Sequence, residues 1–96
     1  MKVTKLADLK RLPLGTKLRL TRSLLGPCNK LREVAKLQTN GMWFKQLDKP
    51  GDERLSWLDF PKAKDFQVTD KGFDILIDGR VEVTYEYVND EVQVAA

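Results

Sequence analysis

Seven basic residues and one tryptophan carry most of the chemistry this sequence offers: Lys17, Arg19, Arg22, Lys30, Arg32, Lys36 and Lys45, with Trp43 among them. Lys and Arg spread over neighbouring segments neutralise phosphates and release their counterions. Trp43 and Phe44 are consecutive, so on a strand they point to opposite faces. The one that meets solvent can stack on an unpaired nucleobase. The same basic residues have a plainer use, because Lys and Arg on exposed strands blunt sheet edges and keep small proteins soluble.

Other chemistry is poorly provided for. The chain has no histidine, which removes the side chain most used as a base near neutral pH and the commonest metal ligand. Its single cysteine, Cys28, stands in Gly26-Pro27-Cys28-Asn29-Lys30. Lys30 nearby would favour a thiolate, but an unreactive loop or half-buried thiol is the expectation. The acids Asp59, Asp65, Asp70 and Asp74 do not follow the spacing of a calcium-binding loop, and the six glycines are scattered singly rather than gathered into a phosphate loop. No catalytic residue, metal site or cofactor is expected.

The charges are divided along the chain. Residues 1–50 hold 12 Lys or Arg and three acids, and residues 51–96 hold five and 11, giving halves near +9 and −6 and a total of +3. Such a chain can present a basic face to a polyanion and an acidic face to a basic partner. The acids of the second half are expected mainly to solvate the outer face of the last hairpin.

At 96 residues the chain makes one domain over 1–96, since two cores of half this size would each bury too little surface. The tail 89–96 is expected to fray. No apolar run approaches the ~20 residues that cross a bilayer. The start lacks a secretory signal, and one cysteine makes no internal disulfide. A cytoplasmic protein without a membrane partner is expected.

These residues fall on short elements. Leu6, Leu9 and Leu12 line one side of a helical turn over about 5–11, with Thr4 as its N-cap and Pro13 and Gly15 ending it. From Lys17 the period becomes two, with Leu18 and Leu20 on one face and Lys17, Arg19 and Thr21 on the other. Residues 23–30, with Gly26-Pro27, read as a loop. A strand over 32–39 and the Asn40-Gly41 turn lead into Met42-Trp43-Phe44. Strands follow near 54–58, 66–69 and 73–78. A helical turn over 60–65 lies between the first two of these, and Asp78-Gly79 turns the chain into Val81, Val83, Tyr85 and Tyr87. Trp57, Phe60, Phe66, Phe73, Tyr85 and Tyr87 are expected inside.

The pattern predicts a mainly β fold, a small antiparallel barrel or roll with a short N-terminal helix. The order strand, long loop, hairpin, strand, helical turn, strand resembles that of SH3-like barrels, in architecture alone. Because that architecture serves many functions, the basic residues decide the expectation. The protein is expected to be a non-enzymatic binder of nucleic-acid phosphates, of single strands or RNA, with little sequence preference. The alternative is a protein–protein module, an adaptor or inhibitor such as a phage or mobile-element accessory factor. A proline-rich peptide groove would need Trp57, Tyr85 and Tyr87 together on the surface. Pairing of the last strand with its copy would give a homodimer.

Overall fold

A computed structural model describes residues 2–88, and the expected frayed tail lies outside them. The chain runs α1 (Leu6–Leu9), β1 (Lys17–Ser23), β2 (Gly26–Leu37), β3 (Gly41–Gln46), β4 (Leu55–Asp59), a 3-10 turn (Ala63–Asp65), β5 (Phe66–Val68), β6 (Gly72–Ile77) and β7 (Arg80–Tyr87). All seven strands join one antiparallel sheet in the order β4-β3-β2-β1-β7-β6-β5. The mainly β fold expected from the alternating pattern is what forms.

The sheet curls into a half-barrel. Its registers slip between Leu20 and Arg22, between Val34 and Lys36, and between Ile75 and Leu76, and bulges of this kind sharpen local twist and bend strands. The bend brings Phe44 of β3 onto Tyr85 of β7, with ring centroids 5.3 Å apart, although β2 and β1 lie between those strands in the sheet. Tyr85 stacks in turn on Phe73, which touches Phe66. This row of rings crosses the interior and ties the two halves of the sheet together.

Residues on the inner face alternate as the sequence requires. Leu18, Leu20, Val34, Met42, Phe44, Phe73 and Tyr85 are buried there. The N-terminal segment closes the concave side with Val3, Leu9 and Leu12, each at most 1% exposed, and the Val3 N–H donates to the Tyr87 hydroxyl at 2.7 Å. A helix of four residues is too short to hold itself, so its leucines in the core hold it. Lys5, not Thr4, occupies the N-cap position. Thr4 instead donates its N–H and hydroxyl to the Asp8 carboxylate, and these bonds hold that carboxyl below its ordinary range.

Two of three turns differ from the sequence reading. Residues 23–30 are not a loop, because Ser23 and Gly26 pair and only Leu24 and Leu25 make the turn. Gly26 supplies φ +109, and Pro27 is tolerated because β2 there has a partner strand on one side only. The β2–β3 hairpin forms, but Leu37 pairs with Met42 and the Gln38 N–H donates to the Gly41 carbonyl, so the two turn residues are Thr39 and Asn40 rather than Asn40 and Gly41, and neither has positive φ. Gly41 is needed for space, since a Cβ there would strike the Leu58 carbonyl and the Trp57 indole. Asp78 and Gly79 do take positive φ, 54° and 80°, as a two-residue hairpin turn demands.

Candidate nucleic-acid interface

Facing residues on antiparallel strands share a face, so the register assigns each candidate side chain. Arg19 lies across from Leu31, and Lys17 across from Glu33. Glu33 is paired on its other side with Lys45, and Lys36 lies across from Trp43, which lies across from Trp57. These residues alternate with the buried ones and stand on the outer, convex face. Arg22 joins them after the bulge, opposite Thr84 and Pro27. Six of the eight expected residues, Lys17, Arg19, Arg22, Lys36, Trp43 and Lys45, therefore share one surface.

Two do not. Arg32 lies across from Leu18 on the inner face and is 5% exposed. Its Nη1 donates to the Leu31 carbonyl and to Asp48 Oδ1, both at 3.2 Å. Buried this way, its charge answers an acid of its own chain and cannot meet a phosphate. It also sits near Tyr85, whose hydroxyl is pushed well above the ordinary tyrosine range by burial, with the Arg32 charge opposing in part. Lys30, across from Leu20, is also on the inner face, but beyond the core and exposed.

The division of charge along the chain does not become a division between faces. Strand β1 lies between basic β2 and acidic β7, so Arg19 stands opposite Glu86 while Glu33 separates Lys17 from Lys45. Basic residues outnumber acids across β1 to β3, but the face is mixed. Of the other acids, Asp74 is buried and accepts from Gln67 Nε2 and Thr84 Oγ1, each at 2.8 Å. Asp52 is pulled down to about 2 by Arg54, which donates to both of its oxygens.

The most distinctive feature of the face is aromatic. The rings of Trp43 and Trp57 lie 4.9 Å apart at 59°, an edge-to-face arrangement of the kind aromatic pairs prefer. Trp57 is 38% exposed, and its Nε1 donates to Asp59 Oδ1 at 2.7 Å, which fixes the indole across the surface. Lys36 flanks the pair on one side, and Leu55 and Lys45 lie one row away. Trp57 was expected inside; the strand places Leu58 inward instead, packed against the core with Phe60, and the odd-numbered residues of β4 point out. The inward pair Leu58 and Phe60, two apart, was the legible signal for this. Tyr85 and Tyr87 are on the inner side, so the three-aromatic peptide groove does not assemble.

No family model matches this chain, and neither a curated protein nor a solved structure does.

Among the described residues no group of three His, Cys, Asp or Glu side chains is placed to hold a metal ion. Cys28 is on β2 rather than in a loop; it is half-buried against the core, and its Sγ donates to the Leu20 carbonyl at 3.4 Å. Among the described residues no helix is long and apolar enough to cross a membrane.

Proposed function

We propose that this protein binds single-stranded nucleic acid, DNA or RNA, on the outer face of its curled sheet, with little sequence preference. The observation that carries the reading is the outward-facing Trp43–Trp57 pair beside Lys36 and Lys45. Aromatic platforms accept any nucleobase, and lysines near them neutralise the backbone as it passes. Lys17, Arg19 and Arg22 continue the path across β1. Glu33 lies between Lys17 and Lys45, Glu86 borders Arg19 on β7, and the two acids hold affinity to that of a moderate, salt-sensitive binder. We read the half-barrel as an SH3-like roll in the broad sense, an architecture whose sheet surface is open to such use.

The expected result is that Arg19→Gln/Lys45→Gln, two exposed or half-exposed substitutions that remove charge without setting an acid opposite Glu86 or Glu33, keeps a cooperative melting curve close to that of the wild type and loses at least about tenfold in affinity for a labelled single strand at low salt. Arg32 is left alone in that variant because it is buried. A folded double variant that binds as the wild type does removes the outer face from the interaction.

A further inference from the structure

The tip of the β1–β2 hairpin is the least explained part of the surface. Leu24 is 67% and Leu25 97% exposed, at the apex of a two-residue turn. The turn is held rigidly: Ser23 pairs with Gly26, and Ser23 Oγ accepts from the Leu25 N–H at 3.2 Å. Each leucine is on the surface without packing on the core, and two adjacent ones at a hairpin apex make a small apolar point free to meet an apolar surface.

The basic residues around the tip show what that contact is attached to. Arg22 stands on the outer face beside the turn and Lys30 on the inner face, across from Leu20 and roughly 13 Å back along β2 from Gly26, so each face of the hairpin that carries the apolar point holds a cation. Arg19 extends the outer side and is steadied by donating to Asn29 Oδ1 at 2.7 Å. The tip is narrow, and its two leucines are far short of the ~800 Å² per partner of a stable protein interface. A narrow aliphatic point between two phosphate-binding side chains fits the end of a duplex, whose terminal base pair offers an apolar face while its two backbones pass to either side. Leucines inserted at base steps are a known use of the residue.

We infer that Leu24 and Leu25 form a wedge that covers the terminal base pair at a junction between single- and double-stranded nucleic acid, with Arg22 and Lys30 holding one backbone each. The inference rests on the single-strand reading of the outer face and names its substrate class more closely. Between Lys36, beside the tryptophans, and Gly26, at the tip, β2 runs ten residues, roughly 33 Å. A single strand on the tryptophan pair and a duplex end at the wedge occupy opposite ends of this path.

The test compares a labelled DNA hairpin bearing a single-stranded arm with the same arm alone, using the full chain. The junction is expected to bind about tenfold tighter than the arm, the gain of burying the exposed leucines. Leu24→Ser/Leu25→Ser is expected to erase that preference while leaving arm affinity and melting temperature unchanged. Because both leucines are exposed, the variant keeps its fold. Equal binding of arm and junction by the wild type overturns the wedge and leaves the single-strand reading intact, as does a leucine variant that retains the preference. Binding of neither probe overturns both. Loss of binding to phosphatidylglycerol vesicles in the leucine variant, with no junction preference in the wild type, assigns the tip to a membrane surface and overturns the wedge.

Discussion

Phe44→Ala is expected to lower the melting temperature by at least ~12 °C and to leave the protein largely unfolded in moderate denaturant. Phe44 is 1% exposed and is the β3 end of the row of rings that crosses the interior. Truncating a buried phenylalanine costs about 3–5 kcal/mol, because the lost transfer energy is joined by that of the cavity. A domain of this length has only about 5–15 kcal/mol in all, and each kcal/mol moves the midpoint by ~4–8 °C. The loss should exceed that of an ordinary core position, since the ring also holds the curl: without it Tyr85 loses its stacking partner from the far half of the sheet. Circular dichroism melts of the wild type and variant check this. A shift under ~5 °C would mean that the two halves of the sheet are held together by other contacts.

Trp43→Ala/Trp57→Ala is expected to fold and to lose roughly 30-fold in affinity for a single strand, about 2 kcal/mol. The folding cost is moderate, because the pair contributes ~0.5–1.5 kcal/mol beyond the area it buries and Trp43 is half-buried; a melting curve beside the titration separates it from the binding loss, which removes both stacking surfaces. The estimate takes the low end of the ~1–3 kcal/mol per stacked nucleobase, as the tilted rings offer one good face between them. These are the chain's two tryptophans, so quenching of intrinsic fluorescence in the wild type reports on the same site without a label. Binding that leaves the fluorescence unchanged and survives the double substitution would place the nucleic acid elsewhere.

Much of the architecture was legible because alternation and turn chemistry are local. Leu18 and Leu20 marked the inner face of β1, Asp78-Gly79 marked the last hairpin, and Leu6, Leu9 and Leu12 marked the N-terminal segment that closes the barrel. What the sequence hid depended on register and neighbours. Arg32 reads like the other cations until pairing puts it opposite Leu18, where Asp48, 16 residues away, supplies its counter-charge. Trp57 reads as core because aromatic residues usually are, and only the competing claim of Leu58 and Phe60 for the inward positions turns it out. The division of charge between halves suggested two opposed faces. Placing β7 against β1 interleaves them, and strand order across a sheet is not written in any local pattern. The loop expected over 23–30 failed for a similar reason: Gly26-Pro27 signals a turn but does not show how tightly it closes, and a two-residue closure exposes the leucine tip.

Binding of single strands by the outer face is read out by fluorescence anisotropy of a labelled strand at ~50 and ~200 mM salt. With all five outer-face cations, Lys17, Arg19, Arg22, Lys36 and Lys45, engaged on phosphates, affinity should fall roughly 100-fold over that range, and duplex of the same sequence should bind more weakly than the single strand. No binding of single-stranded DNA or RNA at the lower salt would rule out a nucleic-acid-binding outer face and direct attention to a protein partner.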